Sequence, residues 1–384
     1  MRIAFYSQHV LGVGHLFRSL EIVRALKNHE VSFITGGAEA ELDLPDHASR
    51  FQLPGLMMSE DFSRFIPVDE HMDVDTVLDW RKSMLMEHMK EFRPDVFLVE
   101  LFPFGRKKFG FELLPVLRAA GQGLFGPCRI ACSLRDILVE KKKQAKFEQR
   151  VLDTLNPLFD LLLVHADPAL VRLEETFPAA KDITIPVHYT GYVTPTPSAA
   201  AGAKLQKELH LNGLPLVVAS AGGGSVGQEL LHATLAASVL LSAKQPHCLV
   251  IFTGPYAPEQ DVQQFQNAAQ GVEHVTVQTF TNRFPAYLAA ASLSVSLAGY
   301  NTTMNLLGAE VHGLVMPFDQ NREQRMRAER LQDRGALTIL EPADLDPIHI
   351  AELMAQRLGE KPAPHGIDLG GAASTAHFLE TMGT

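Results

Sequence analysis

Three glycine-bearing stretches and one histidine are the residues of this chain whose types and spacing suit chemistry. Near the N-terminus, Gly12-Val13-Gly14-His15 follows a strand-like run and precedes a helical pattern. Two glycines let such a loop turn tightly and let a ligand approach the backbone. The helix that follows offers free N–H groups and a partial positive charge. The spacing is not the dinucleotide fingerprint, because Phe17 stands where that pattern has glycine. His15 opens the helix, where the positive end keeps an imidazole neutral and able to accept a proton. The plainer reading of His15 is a surface residue in a capping region.

Farther along, Ala221-Gly222-Gly223-Gly224-Ser225 ends another strand-like run, and a helix is expected from about Val226. Three consecutive glycines cost conformational entropy; what they offer is a nest of N–H groups facing an anion. Ser225 then serves as helix cap or hydroxyl donor. The alternative is a merely tight turn. A third element, Leu297-Ala298-Gly299-Tyr300-Asn301-Thr302-Thr303, turns at Gly299, with Asn301 or Thr302 capping the next helix. Two anion-binding helix ends in one domain suit a diphosphate carrying a group on each side. The polar loop Asp319-Gln320-Asn321-Arg322-Glu323-Gln324 suits sugar hydroxyls, or is simply a solvated loop.

The elements that must position these residues alternate along the chain. Short continuous apolar runs lie near 2–7, 31–35, 95–101, 129–134 and 160–165, as expected of parallel strands covered on both faces. A second series lies near 214–218, 248–253, 274–280, 293–298, 313–318 and 336–340, with helical patterns between. The fold class is therefore α/β, with two Rossmann-like domains facing each other across a cleft. The Pro/Ala/Gly stretch at 194–203 marks the boundary. We expect an N-terminal domain over 1–194, a linker over 195–205, a C-terminal domain over 206–370 and a tail or helix over 371–384.

With 34 basic and 44 acidic residues the formal charge is −10, which argues against a nucleic-acid partner. It does not argue against a nucleotide, since helix ends and glycine backbone bind anions without lysines. Three cysteines form no closed disulfide framework and point to a reducing compartment. Cys128 and Cys132 read as strand residues about 13 Å apart, too far to share a zinc ion. No run approaches the roughly 20 apolar residues that span a bilayer. A strand begins at Arg2 with no signal peptide before it, so a cytoplasmic protein is expected. The basic run Lys141-Lys142-Lys143 reads as the solvated face of a helix, and Asp73-Val74-Asp75 as helix capping rather than a metal site.

The Gly-x-Gly-His loop, the Gly-rich loop, the Gly-Tyr-Asn-Thr turn and the Pro-Phe…Glu-Gln segment occur in that order. Together they resemble inverting glycosyltransferases of GT-B fold, family 28, which includes the peptidoglycan N-acetylglucosaminyltransferase. The segments 101–115 and 132–139 look like a bacterial subgroup of predicted glycosyltransferases. The resemblance implies that the second domain binds a nucleoside diphosphate sugar, most simply a UDP-sugar. Gly12, Gly14, Gly223, Gly224, Ser225, Gly299, Asn301, Thr302 and Thr303 would face the donor. Phe280 and Thr281 match where the family's backbone reads uracil, and Gln324 matches a glutamine contacting the donor sugar. Asn305 stands where the family usually has a ribose-binding glutamate, and Ala298 replaces a frequent glycine. Asn still hydrogen-bonds a ribose, but the charge-assisted contacts are lost.

The reaction implied is sugar transfer with inversion to an unidentified acceptor, requiring no metal and no cofactor. His15 is the first candidate base, with Glu100, Glu112 and Asp136 behind it. Glu100 is expected at a strand end pointing to the cleft, and Glu112 and Asp136 in loops facing the same region. Arg106 and Arg135 are their ion-pair partners or contacts for an anionic acceptor. The aromatic segment 101–111, with Lys107 and Lys108, leaves contact with a membrane surface open. The rivals are an epimerase or hydrolase of the same fold, and a non-catalytic sugar-nucleotide-binding protein.

Overall fold

The computed structural model describes residues 1–9, 14–39, 42–59, 64–318 and 322–382. The chain divides into two units, Met1–Val193 with Ile367–Thr384, and Thr194–Gly366.

In the first unit the strands are β1 (Arg2–Tyr6), β2 (Glu30–Thr35), β3 (Ala48–Gln52), β4 (Leu56–Met58), β5 (Phe65–Pro67), β6 (Val96–Glu100), β7 (Arg129–Arg135), β8 (Leu161–His165) and β9 (Val187–Tyr189). Seven of them form one parallel sheet in the order β3-β2-β1-β6-β7-β8-β9, and β4 and β5 make a separate antiparallel pair. Helices α1 (Gly14–Ala25), α2 (Val74–Phe92), α3 (Gly110–Gly121) and α4 (Gln144–Leu158) lie between strands. Every residue of β6 and β8 is buried. That is the mark of a sheet covered on both faces. The chain moves outward from β1 to β2 and β3, then returns to place β6 on the other side of β1. The carboxyl ends of β1 and β6 therefore diverge into a crevice, the usual ligand position in such sheets.

The second unit repeats the design. After α5 (Ala199–Glu208), its strands are β10 (Leu216–Ser220), β11 (Cys248–Phe252), β12 (Val275–Gln278), β13 (Leu293–Leu297), β14 (Gly313–Met316) and β15 (Leu337–Ile339). Their order is β12-β11-β10-β13-β14-β15, all parallel, with the switch between β10 and β13. Helices α6 (Gln228–Ser242), α7 (Glu259–Ala269), α8 (Phe284–Ala290), α9 (Tyr300–Gly308), α10 (Arg322–Gln332) and α11 (Pro347–Arg357) complete it. Strand β10 is buried along its whole length. Its Val217 and Ala219, with Leu249, Ile251, Val295 and Leu314 of neighbouring strands, join residues of α6 and α11 in one apolar core.

Several expectations change. The stretch read as linker is helical from Ala199, capped by Ser198, whose Oγ accepts from the Ala201 N–H at 3.1 Å. Alanines form helix readily, and α5 packs through small residues rather than an apolar stripe. Gly202 shows why: a Cβ there would lie 2.6 Å from the Ala289 carbonyl oxygen. The C-terminal segment is helix α12 (Gly371–Met382), which packs on α1, with Ala376 and Leu379 in the core around Ile3 and Phe5. Lys141, Lys142 and Lys143 are exposed but precede α4 instead of lying in it. Phe102, Phe104 and Phe109 are buried, so the aromatic segment 101–111 spends these rings on the core rather than on a membrane face. No described helix is long and apolar enough to cross a membrane.

Asp73 caps α2 as read, its carboxylate accepting from the Asp75 and Thr76 N–H groups at 2.9 and 3.2 Å. Asp73→Ala should lower the urea-unfolding midpoint, because the first-turn N–H groups of α2 lose their side-chain acceptor. An unchanged midpoint would show that water replaces the cap without loss.

Candidate functional site

At the crevice of the first sheet, His15 comes from the first turn of α1 and Glu100 is the last residue of β6. His15 Nδ1 lies 2.6 Å from Glu100 Oε1, and Arg18 Nη2, one turn further along α1, reaches the same oxygen at 2.6 Å. Glu100 is fully buried and Arg18 nearly so, while about a quarter (26%) of the His15 side chain remains open. Burial alone would raise the Glu100 pKa; His15, then Arg18 and Arg106, outweigh it and hold the carboxyl down to about 2. Burial lowers His15 to about 4, helped by Arg18 and Arg106 and opposed by Glu100.

These values set the tautomer. An ionised carboxylate at 2.6 Å from Nδ1 requires the proton on Nδ1, leaving the lone pair on Nε2. The 3.1 Å approach of Arg18 Nη2 to Nδ1 then places two donors side by side on one oxygen. Carboxylate, oriented imidazole and the Nε2 lone pair form an arrangement able to accept a proton while neutral at pH 7. Arg18 was not singled out in the sequence, although its place three residues after His15 puts both on one helix face.

The other first-unit candidates divide. Glu112 sits within α3, not in a loop, and is fully buried. Arg81 spends all five N–H bonds there: two on Glu112 at 2.6 and 2.9 Å, one on Gln8, and two on the Gly36 and Pro54 carbonyls. Tyr6 donates its hydroxyl to the same carboxylate. Glu112 is thus packed in the interior as the partner of Arg81 and Tyr6. Asp136 is buried just beyond β7, and Arg135 donates its Nε–H to the Ile137 carbonyl at 3.1 Å. Arg106 caps the short turn Lys107–Phe109 in left-handed conformation, φ 54°. Cys132 is buried and Cys128 half-buried, both as unpaired thiols. Gly12 lies outside the described residues; Gly14 begins α1.

In the second unit the two glycine loops follow β10 and β13, the strands flanking the switch. Helix α6 begins at Gln228, two residues later than expected, with Gly227 at φ 91° as its N-cap; exposed Ser225 does not cap it. Gly222 and Gly223 are exposed, and a Cβ on Gly222 would meet open space. Among the described residues, no protein group accepts from the N–H groups of Gly223 and Ser225. Gly224 differs. Its φ of 88° and its packing on Thr253-Gly254 make it a backbone requirement, since a Cβ would lie 2.5 Å from the Thr253 oxygen. Gly254, at φ 97°, meets it from the other side; a single glycine after β11, it carries no run to announce it in the sequence.

Gly299 itself is the N-cap of α9, with open space where a Cβ would be. Asn301 and Thr302 therefore occupy the first turn rather than the cap. Buried Thr303 donates its hydroxyl to the Gly299 carbonyl at 2.7 Å, holding the turn. Asn305 Oδ1 accepts from the Thr194 hydroxyl at 3.0 Å. Phe280 is half exposed beyond β12, and Thr281 Oγ1 accepts from the Arg283 N–H at 3.1 Å. Gln324 Oε1 accepts from the Phe318 N–H at 3.1 Å. Asp319, Gln320 and Asn321 lie outside the described residues.

Residues 216–364, nearly all of this second unit, match the glycosyltransferase family 28 C-terminal domain. The C-terminal unit is a family 28-type glycosyltransferase domain, and the chain has the GT-B fold. Solved structures carry the likeness across both units of this GT-B chain. The glycotransferase of kitacinnamycin aligns with a TM-score of 0.62 at 17% identity, over 99% of this chain and 98% of that one. MurG of Acinetobacter baumannii aligns at 0.52 and 17%, over 98% and 94%. UGT2 of Phytolacca americana, complexed with UDP-2fluoro-glucose and pterostilbene, aligns at 0.57 and 14%, over 100% and 94%. At those identities the likeness is one of fold. No curated protein sequence matches the chain.

Proposed function

We propose that the protein transfers a sugar, with inversion, from a UDP-sugar to an acceptor hydroxyl. The observation that carries the donor half is the pair of loops after β10 and β13. They flank the strand switch; in the first, the Gly223 and Ser225 N–H groups have no acceptor among the described residues, and small residues in both stand where a diphosphate would approach. UDP is favoured over other nucleotides because a protein of the same fold is complexed with a UDP-sugar.

In the transfer, His15 Nε2 takes the acceptor's hydroxyl proton as that oxygen bonds to the anomeric carbon. The bond from that carbon to the diphosphate oxygen breaks on the opposite face, and UDP leaves with the electron pair. Helix-end and loop N–H groups stabilise the charge that develops on it. Glu100 keeps Nδ1 protonated and the ring oriented, and it steadies the imidazolium formed during transfer. On this reading the backbone at Phe280 and Thr281 reads the uracil ring, and Asn305, Asn301, Thr302 and Gln324 supply polar contacts to the donor.

A thermal-unfolding screen of UDP-, GDP- and dTDP-sugars tests the donor. A UDP-sugar should raise the unfolding temperature progressively with concentration, by linkage. Indifference to every nucleotide would remove the donor site. Conversion of donor without acceptor would favour an epimerase, and stabilisation without turnover a binding protein.

A further inference from the structure

We propose that Arg106, beside the His15–Glu100 pair, is an oxyanion site that holds a carboxylate or phosphate group of the acceptor. The assignment of that group to an acceptor rests on the transferase reading; the anion site itself does not.

Arg106 is a non-glycine residue held at φ 54° and ψ 26°. That region is costly for a side-chain-bearing residue and tends to persist where the surroundings impose it. The residue is half-buried as a whole, and its Nε is sequestered with no hydrogen-bond partner. Among the described residues Arg106 makes no ion pair, although a buried guanidinium ordinarily does. What surrounds it is mostly of its own sign. Arg18 and Arg135 both act on it unfavourably, against Glu100, and burial opposes its charge most of all. The charge of Glu100 is already shared, since Oε1 takes His15 at 2.6 Å and Arg18 at 2.6 Å.

Glu100 Oε2 is buried and unpartnered, and Arg106 turning toward it would answer one oxygen with a second guanidinium. Asp136 is the other buried carboxylate near Arg135. Among the described residues, Arg18 and Arg135 thus bring two further guanidinium charges to bear on Arg106. A planar fork in that position matches a planar or tetrahedral oxyanion. Lying beside the base, it would orient an acceptor by its charged group while the neighbouring hydroxyl meets His15 Nε2.

The experiment is carried out on the full chain with labelled histidine rings, the His15 resonance being identified by its loss in His15→Asn. Inorganic phosphate and acetate are titrated separately, each against chloride at equal ionic strength. Phosphate, acetate or both should shift the His15 ring signal saturably, and chloride should not. The stronger of the two identifies the anion as phosphate or carboxylate. Arg106→Met should weaken that response on the order of tenfold or more. Arg106→Lys, which keeps the charge and loses the fork, should fall between, and it serves if Arg106→Met does not fold. No saturable shift with either anion in the natural protein, or variants that titrate like it, would overturn the site. Failure of the UDP-sugar screen leaves this titration standing, so the two readings fail separately.

Discussion

His15→Asn should lower kcat/KM by about 10²–10⁴-fold, the usual contribution of a positioned general base. Donor-induced stabilisation should stay close to that of the natural protein, because His15 belongs to the first unit and the donor loops to the second. The asparagine fits a partly open site and leaves Glu100 paired with Arg18. Glu100→Gln is a poorer probe, since it strips buried Arg18 of its counter-charge and confuses stability with rate. The pH profile sharpens the test. His15 is held down to about 4 against an ordinary 6.5, so it remains an unprotonated base well below neutrality. As pH falls, kcat/KM should therefore hold through 6.5 and decline only near 4. The same shift has a sign for stability. Between 6.5 and about 4 the unfolded chain takes up the proton first, so this site favours folding less as pH falls. More than a tenth of the activity retained in His15→Asn would mean the base lies elsewhere.

How much of this was readable in the sequence follows from burial. Strands such as Val96–Glu100 and Leu161–His165, covered on both faces, show as unbroken apolar runs, and the two-sheet plan follows from them. The edge strand Ala48–Gln52 reads Ala-Ser-Arg-Phe-Gln and is half open, so no apolar run announces it. His15 and Glu100 were each visible as ends of elements, but their contact joins residues 85 apart and depends on β1 and β6 being neighbours. Arg18 and Arg81 were invisible for a shared reason. A buried arginine on a helix carries the same letter as a solvated one, and only partners 82 and 31 residues away distinguish them. Glu112 was misplaced because its partner Arg81 could not be paired with it from spacing alone.

The glycine run of the second unit separates two roles that the sequence merges. Gly223→Val should leave stability nearly unchanged, within about 0.5 kcal/mol, because the site is exposed. Its nearest neighbour to an added Cβ is Tyr256 Cδ2 at 3.7 Å, an ordinary contact. UDP binding should nevertheless weaken on the order of a hundredfold, as a branched side chain denies the diphosphate two charge-assisted N–H bonds. Gly224→Val should do the reverse at the first step. A β-branched residue at φ 88°, with its Cβ 2.5 Å from the Thr253 oxygen and 2.9 Å from the Ala257 nitrogen, must displace backbone. The strain should cost about 1–3 kcal/mol of stability before any ligand is added. Loss of binding in Gly224→Val alone would therefore say little about the ligand. Calorimetry with UDP on both variants, beside their unfolding midpoints, separates the cases. A stable Gly223→Val protein that binds UDP as the natural chain does would show that this loop turns the backbone and holds no diphosphate.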